Sequence, residues 1–257
     1  MKNKRQNEIA KMLLKDDVLK NTDLVNHFGV SIETIRRDID ALERLGVLEK
    51  VYGGVQAASN DTLVSQLKDW NKRSEQNRDE KMRITGRALD LIPDGATIAL
   101  DIGTTTHMLA QQMGIKRDLT VLTSSMRAAG ELCRLNAHRV YIIGGQLHNS
   151  EQISMGAYAR SFLDNFASID IFICSADGIT IDAGATEYHE AVVDLKRHLT
   201  AIAKTTILVA DHGKFGKKSM FKSFQLSDID TIVTDDNLAE NYIDALKEAG
   251  VGSVILA

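Results

Sequence analysis

The sequence has few of the residues that mark secreted, membrane-spanning or metal-binding proteins. Its only two cysteines, Cys133 and Cys174, each lie in an apolar context without a second Cys or His at ligand spacing. This excludes a disulfide framework and predicts two buried free thiols and no metal site. No apolar run approaches the roughly 20 residues that cross a bilayer, and the first residues lack the apolar core of a secretion signal. We therefore expect a cytosolic protein without membrane contact.

The chain is also short of proline and of excess positive charge. One proline among 257 residues, with 44% hydrophobic content, describes a globular chain long enough for two cores. The formal net charge of −4 excludes a generally polycationic coat for nucleic acid, so any contact with DNA must be local. Residues 1–60 carry 10 Lys and Arg against 9 Asp and Glu, and the remainder carries 21 against 26. Neither a P-loop nor a full G-x-G-x-x-G occurs, and we expect no cofactor.

The most informative stretch runs from Ser31 to Gly46 and predicts an amphipathic helix. Four apolar residues share one stripe of that helix: Ile32, Ile35, Ile39 and Leu42. Ser31 stands at the N-cap, and Gly46 supplies a stop. Arg37 lies almost opposite the stripe with Arg36 beside it, as in a helix that enters the DNA major groove and contacts phosphates or guanine edges. Taken alone, the pattern is more typical of a solvated surface helix.

The neighbouring segments favour the DNA-binding interpretation. The sequence predicts a helix over residues 4–15, a break over residues 16–19 and a second short helix over residues 22–28. Gly29–Ser31 then turns the chain into the arginine-bearing helix, which gives a helix-turn-helix arrangement. After that helix, apolar residues alternate around Gly53–Gly54, as in a β-hairpin that forms a wing beside the groove.

At this point the sequence resembles the DeoR family of bacterial transcription regulators. The family signature is V-S-x-x-T-I-R-R-D-(I/L)-x-x-L-E-x-x-G-x-(L/I), followed by a Gly-Gly wing. The matching positions are Val30–Ser31, Thr34–Ile39, Leu42–Glu43, Gly46 and Gly53–Gly54. Tyr52 stands where many members carry His. The helix and the wing together predict six residues that contact operator DNA: Ser31, Glu33, Thr34, Arg36, Arg37 and Tyr52.

The rest of the chain predicts an α/β domain. Seven short runs rich in Val and Ile alternate with helical stretches, namely TIALD, LTVLTSS, RVYIIGG, IDIFICSADG, TILVADHG, DTIVTDD and SVILA. The predicted fold class is α/β: an N-terminal winged helix-turn-helix followed by an open, mostly parallel α/β sheet domain. We assign residues 1–58 to the DNA-binding domain, 59–92 to a linker with solvated connecting helices, and 93–257 to the sheet domain.

Polar or glycine-bearing loops follow five of the predicted strands. Because ligands of open α/β sheets bind beyond the carboxyl ends of the strands, we expect these loops to border one crevice. In the first loop the strand stops at Asp101, Gly103 relaxes the turn, and Thr104–Thr106 open a helix. Free N–H groups and hydroxyls there suit a phosphate, which Lys214 could also reach. The alternatives are an ordinary β–α turn and a lysine that is only a surface charge.

The same segments resemble the C-terminal domain of DeoR-type regulators. That domain is related in fold to ribose-5-phosphate isomerase and binds phosphorylated sugars or related metabolites. Two departures are Ser124 in place of the usual Asn and Gly213 in place of the Ser that usually precedes the lysine. The strand-end loops and the resemblance together predict these effector-binding residues: Asp101, Gly103, Thr104, Thr105, Thr106, Thr123, Ser124, Gly144, Gly145, Asp177, Gly178, Glu190 and Lys214.

An isomerase of this fold would need Asp-x-x-Asp, then a lysine and a glutamate. Here Cys174 occupies the first Asp position, Asp177 occupies the second, and no Lys or Arg occurs from residue 178 to residue 195. Because the base and cation for proton transfer are incomplete, we expect no enzyme. Asp177 and Glu190 are then expected to bind sugar hydroxyls or to cap loops.

The leading hypothesis is a repressor of a carbohydrate-metabolism operon that binds operator DNA as a homo-oligomer and is released by a phosphorylated sugar. One alternative is an isomerase-like enzyme with a DNA-binding appendage. The other is a regulator whose second domain only mediates assembly.

Overall fold

The computed structural model describes residues 2–13, 18–44, 47–57, 70–149 and 151–257. The chain divides into two compact units, one of Met1–Glu75 with Asn149–Glu151 and one of Gln76–His148 with Gln152–Ala257. Within the described ranges, no helix is both long enough and apolar enough to span a membrane.

The first unit is a winged helix-turn-helix. Its elements are α1 (Lys2–Leu13), β1 (Val18–Lys20), α2 (Asn21–Phe28), α3 (Ile32–Arg44), β2 (Leu48–Val51) and β3 (Gly54–Ala57). The three strands form an antiparallel sheet in the order β1-β3-β2. The helix-turn-helix and the hairpin are confirmed, and Gly29 ends α2 in the left-handed conformation with φ 61°.

The strand β1 corrects the sequence prediction of a break after α1. Leu19 is buried between the exposed residues Val18 and Lys20, and the segment pairs with β3. Three residues are too few to show a period of two, so the sequence alone did not reveal the strand. Residues 14–17 and the predicted helix stop at Gly46 lie outside the described residues.

The core of the first unit gathers one face of each helix and of the sheet. Ile35, Ile39 and Leu42 of α3 are buried in it, as the stripe predicted, while Ile32 is only partly buried. Ile9, Leu24 and Val55 contribute from the other elements. α3 therefore has an anchored apolar face and an exposed polar face.

The second unit is built on a seven-stranded parallel sheet. Its strands are β4 (Thr97–Leu100), β5 (Thr120–Thr123), β6 (Arg139–Ile142), β9 (Ile169–Cys174), β12 (Ala203–Val209), β14 (Thr231–Thr234) and β15 (Ser253–Leu256). They lie in the order β15-β14-β12-β9-β4-β5-β6. These are the seven apolar runs of the sequence, so the predicted parallel sheet is confirmed.

Short antiparallel strands decorate the sheet. The pair β7 (Gln146–His148) and β8 (Ile153–Met155) forms a hairpin, and β10 (Gly178–Thr180), β11 (Gly184–Glu187) and β13 (Phe221–Phe224) form a second small sheet. The helices of the unit are α4 (Arg78–Asp90), α5 (Thr104–Gln112), α6 (Met126–Leu135), α7 (Ala157–Leu163), α8 (Glu190–Ile202) and α9 (Glu240–Glu248).

Hydrophobic cores cover both faces of the parallel sheet. On β4, for example, Ile98 and Leu100 belong to one core and Ala99 to the other, as alternation along a strand requires. α4 also packs into the first of these cores through Ile84 and Ala88.

The position of α4 differs from the solvated connecting helix that we assigned within residues 59–92. The chain divides between Glu75 and Gln76, so α4 is part of the second unit. Because α4 is rich in charged residues, its composition alone does not predict that Ile84 and Ala88 are buried. Residues 59–69 of that assigned segment lie outside the described residues.

The two thiols differ in burial. Cys174 is buried in β9, as predicted, but Cys133 on α6 is exposed, so the prediction of a buried thiol is wrong there. Its neighbour Leu132 faces the core, and one residue along a helix turns the side chain by about 100°.

The strand order places a topological switch point between β4 and β9. From β4 the sheet grows through β5 and β6 on one side, and from β9 it grows through β12, β14 and β15 on the other. The carboxyl ends of β4 and β9 therefore border the crevice where open α/β sheets bind ligands.

Candidate functional site

The exposed face of α3 carries two arginines. Arg36 and Arg37 are both exposed, and neither makes an ion pair with another residue that the structure describes. Ser31 caps the helix, since its Oγ accepts a hydrogen bond from the Thr34 amide at 3.3 Å. The Ser31 and Thr34 hydroxyls also lie 3.1 Å apart. Glu33 completes the exposed first turn.

A buried carboxylate fixes the orientation of α3. Asp38 follows Arg37 directly and is almost fully buried. It accepts hydrogen bonds from Arg5 Nε at 2.5 Å and from Gln6 Nε2 at 2.8 Å, both on α1. Charge-assisted hydrogen bonds of this kind restrict rotation of α3 about its own axis. Arg36 and Arg37 therefore face away from the core. The sequence signature included Asp38, but its partners on α1 were not predicted.

The wing presents Tyr52 at its tip, where the side chain is fully exposed. Gly53 adopts a left-handed φ of 76°, and a Cβ on Gly54 would overlap the carbonyl oxygen of Leu19 in β1. The two glycines are therefore needed for different reasons. Gly53 adopts the turn conformation, and Gly54 lets β1 pair closely with the wing.

Lys50 connects the wing strand β2 to α3. Its Nζ lies 2.8 Å from Asp40 and 2.6 Å from Glu43. The hydrogen bond to Lys50 lowers the pKa of Asp40, and the two carboxylates raise the pKa of Lys50. These contacts neutralise acidic groups on a helix that we expect to approach a polyanion.

In the second unit, the loop after β4 leaves a helix start open. Gly103 precedes α5 with a φ of 124°, and a Cβ there would lie 2.9 Å from Ser175 Oγ at the end of β9. No side chain caps the first turn of α5, whereas Ser125 caps α6 by accepting a bond from the Ala128 amide. The N–H groups at Thr104–Thr106 are thus available to an anion.

A buried ion cluster lies directly behind this loop. Lys196 Nζ of α8 lies 2.8 Å from Asp101 Oδ2, at the end of β4, and 2.6 Å from Glu187 Oε1, at the end of β11. It also donates a hydrogen bond to the Ser175 carbonyl at 2.7 Å. The side chains of Lys196, Asp101 and Glu187 are only 2%, 5% and 7% exposed. One ammonium group therefore ties four elements together at the switch point.

Burial and mutual charge shift the titration of this cluster. Burial raises the pKa of Glu187 to about 8, and the carboxylates of Asp177 and Asp101 act in the same direction, against Lys196. Burial alone would lower the pKa of Lys196, but Asp101 and Glu187 outweigh it and raise that pKa. Burial therefore favours the protonated form of Glu187, while Lys196 stays charged beside Asp101.

Sequence reasoning missed both Lys196 and Glu187. The segment after Asp177 has no Lys or Arg up to residue 195, and Lys196 is the next residue. A signal was present: Val192, Val193 and Leu199 flank Lys196 on one buried face of α8, where a lysine needs a partner. Glu187 gave no signal, because the burial of β11 depends on strands distant in sequence.

Three other predicted effector residues follow β9 or begin α8: Asp177, Gly178 and Glu190. Asp177 is partly buried, and its Oδ2 accepts a hydrogen bond from the Tyr188 amide at 3.0 Å. A Cβ on Gly178 would overlap the carbonyl oxygen of Lys217. Glu190 begins α8 and is exposed, three residues after the buried Glu187.

A second group of predicted residues lies at the ends of β5 and β6, against the β7–β8 hairpin. Thr123 and Ser124 are buried, and Thr123 Oγ1 accepts a bond from the Ser125 amide. Gly144 and Gly145 are exposed, and a Cβ on Gly145 would overlap the Met155 carbonyl oxygen. The contacts of this second group are with the hairpin and not with the ion cluster.

Lys214 lies at the end of β12, in a short 3-10 helix over His212–Lys214. Asp211 holds this turn, since its Oδ1 accepts bonds from Asn77 Nδ2 at 2.6 Å and from the Gly213 amide at 3.1 Å. Lys214 is partly buried and makes no ion pair within the described part of the chain. β12 is two strands from β4, a separation of about 10 Å across the sheet.

Comparison with known protein families decides the identity of both units. Residues 5–61 match the DeoR-like helix-turn-helix domain, and residues 76–236 match the DeoR C-terminal sensor domain. The chain belongs to the DeoR family.

Similar DeoR-family sequences span nearly the whole chain. An uncharacterized HTH-type transcriptional regulator of Haemophilus influenzae is 33% identical over 96% of this chain and 94% of its own length. The transcriptional repressor AccR of Agrobacterium fabrum is 32% identical over 90% of this chain and 88% of its own. The glycerol-3-phosphate regulon repressor of Escherichia coli is 29% identical over 90% of both. The expectation of a regulator and not an enzyme is therefore confirmed.

Solved structures give a more distant likeness. Ribose 5-phosphate isomerase A of Neisseria gonorrhoeae aligns over 52% of this chain and 52% of its own, with 14% identity and a TM-score of 0.40. A likeness at this level does not bear on function.

The ion cluster generates a stability prediction for this DeoR-family chain. Lys196→Met removes the only charge partner of two carboxyl groups within the described cluster, and breaking a buried pair in this way costs about 3–5 kcal/mol. Urea unfolding of the full chain at pH 7 measures the loss. Lys222→Met, at an exposed position on β13, is the control and should cost less than about 0.5 kcal/mol. A loss below about 1 kcal/mol for Lys196→Met would contradict a structural role for the cluster.

Proposed function

We propose that the chain is a repressor of a carbohydrate-metabolism operon that binds operator DNA through α3 and the wing. We further propose that a phosphorylated sugar or related metabolite, bound at the carboxyl end of the parallel sheet, releases it. Because the repressor would bind operator DNA, the proposal also implies that it acts in the cytoplasm. The observation that carries the sensing role is the uncapped start of α5 beside Gly103, at the topological switch point.

The DNA-binding part of the proposal rests on the two faces of α3. The apolar face and Asp38 are committed to the core and to α1, while Arg36 and Arg37 remain exposed. In a helix-turn-helix, the exposed face of the second helix lies in the major groove. Ser31, Glu33 and Thr34 open that helix, so they join the proposed contact surface together with Tyr52 of the wing.

The sensing part assigns roles by position. Free N–H groups at Thr104–Thr106 and the ammonium group of Lys214 suit a phosphate. Asp177 and Glu190 follow β9 and begin α8, where carboxylates can accept hydrogen bonds from sugar hydroxyls. The names of two relatives support this effector class, since one is a repressor of a glycerol-3-phosphate regulon and another is a putative repressor of an aga operon.

We also propose that the repressor acts as a homo-oligomer. One short recognition helix contacts only a few base pairs, whereas specific operator binding needs a larger contact area. Operator titrations should therefore give two or more chains per operator, and a complex with one chain would contradict this part of the proposal.

The recognition helix generates the first functional prediction. Arg37→Ala should weaken operator binding by about 1–3 kcal/mol if the side chain contacts a base edge. Arg36→Ala should lower the salt slope of binding by about one if the side chain contacts a phosphate. The two roles can be exchanged between these neighbours. Fluorescence anisotropy with labelled operator, over a range of salt concentrations, measures both quantities.

Arg87→Ala is the matched control, because Arg87 is an exposed helical arginine of the second unit. This variant should bind operator with wild-type affinity. The unfolding midpoints of Arg36→Ala and Arg37→Ala should equal the wild-type midpoint, because neither guanidinium group has a described partner. Wild-type operator affinity and salt slope in both variants would remove the recognition-helix assignment.

The sensor site generates the second prediction. Lys214→Ala should lose a charge-assisted contact worth about 1.5–3 kcal/mol and with it effector affinity, while operator affinity without effector stays at the wild-type value. In cells, a repressor with this change should be uninducible. Operator release titrated with an effector from a sugar-phosphate panel measures the shift. Lys217→Ala, exposed in the same loop, is the control, and equal midpoints for Lys214→Ala and wild type would show that Lys214 is only a surface charge.

A further inference from the structure

Glu187 is a buried carboxyl group that the proposed sensor site leaves without a role. Its Oε1 lies 2.6 Å from Lys196 Nζ, which also lies 2.8 Å from Asp101 Oδ2. Asp101 precedes Gly103 by two residues, and Gly103 is where the proposed anion site begins. Ser175 closes this arrangement, because its amide donates to Asp101 Oδ2 while its carbonyl accepts from Lys196. One ammonium group therefore links Glu187 to the anion loop.

The net charge of the cluster depends on Glu187. If Asp101 and Glu187 are both ionised, the single ammonium group leaves a net charge of about −1 in a buried site, which is costly. If Glu187 carries a proton, the cluster is neutral, and all three N–H groups of Lys196 keep their acceptors. A protonated Glu187 also has an O–H group on Oε2, which is a donor that the ionised form lacks.

The surroundings of Glu187 favour the protonated form of its carboxyl group. The charged groups that act on it are Lys196 from α8, Asp101 from the end of β4 and Asp177 from the loop after β9. Two of these three are acidic. On the neighbouring strands, Phe221 of β13 pairs with Glu187, and β10 carries no titratable side chain. Cys174 of β9 also interacts with the cluster, and burial raises the pKa of its thiol well above the usual value, so it stays neutral. Burial, together with the two acidic groups, raises the pKa of Glu187 to about 8 against the opposing effect of Lys196.

We propose that Glu187 is a positioning residue of the sensor site that couples, through Lys196 and Asp101, the binding of an anion at Gly103–Thr106 to the uptake of one proton. The inference rests on the proposed function, because it takes this loop as the anion site. A phosphate placed beside Asp101 is repelled by a cluster of net charge −1 and tolerated by a neutral one. The anion therefore binds more tightly when Glu187 is protonated, and by reciprocity its binding favours the proton.

The test uses the full chain and glycerol 3-phosphate as the probe, with glycerol as the uncharged reference. Isothermal titration calorimetry between pH 7 and 9.5 gives the dissociation constant of the probe for wild type, Glu187→Gln and Glu248→Gln. Above pH 8 a phosphate monoester stays dianionic, because its second pKa is about 6. Glu187→Gln mimics the neutral carboxyl group at every pH, and Glu248→Gln removes an exposed carboxylate at the end of α9.

Wild type should lose about tenfold in affinity from pH 8 to pH 9.5, which is the size of effect that one linked proton produces. Glu187→Gln should change less than about twofold over the same range, and Glu248→Gln should follow wild type. At pH 8.5, titrations of wild type in buffers of different ionisation enthalpy should show uptake of more than about half a proton. This last measurement needs no variant, so it decides the matter even if Glu187→Gln does not fold.

The outcomes separate the inference from the function on which it rests. Binding at pH 7 without proton uptake at pH 8.5, or with the same pH profile in wild type and Glu187→Gln, overturns the coupling and leaves the anion site in place. If glycerol 3-phosphate, inorganic phosphate and a panel of sugar phosphates all fail to bind wild type at pH 7, the proposed anion site and the coupling fall together.

Discussion

The contact between Lys196 and two buried carboxyl groups organises the sensor unit. Asp101 ends β4, Glu187 ends β11 and Lys196 belongs to α8, so the pair of contacts fixes three segments that come from distant parts of the sequence. Ser175 adds the end of β9 through its amide and its carbonyl. The proposed anion-binding loop at Gly103 lies against Ser175, since a Cβ on Gly103 would be 2.9 Å from Ser175 Oγ. Its geometry is set by charges behind it and not by the loop residues alone.

In each unit, contacts to a buried carboxyl group orient a neighbouring exposed segment. In the first unit the buried carboxylate of Asp38 is bound by Arg5 and Gln6, which fixes the face of α3 that carries Arg37. In the second unit Lys196 fixes the end of β4. In both, a buried carboxyl group has specific charged partners next to an exposed segment. Breaking such a contact leaves a buried charge, so the segment has one favoured orientation.

Much of this fold could be predicted from the sequence because its periodicities are local. The stripe of α3 and the seven apolar runs each lie within a few residues, and all of them appear in the structure. The strand β1 could not be predicted, because three residues carry no period and its partner lies far along the chain. The proposed sensor site was harder to predict, because its residues also come from distant parts of the sequence. Asp101 follows a recognisable strand, whereas Glu187 and Lys196 become part of the site only when β4, β11 and α8 meet.

The proposed regulator combines two activities in one chain: it binds operator DNA and responds to the phosphate of a sugar. The most direct measurement is operator affinity by fluorescence anisotropy, with no ligand, with members of a sugar-phosphate panel, and with each parent sugar lacking the phosphate. Coupling between two sites is typically worth about 5- to 150-fold in affinity. We expect at least one phosphorylated sugar to weaken operator binding by fivefold or more, while its unphosphorylated parent at the same concentration leaves operator affinity unchanged. Equal effects of the two forms, or operator affinity that no member of the panel changes, would contradict this proposal.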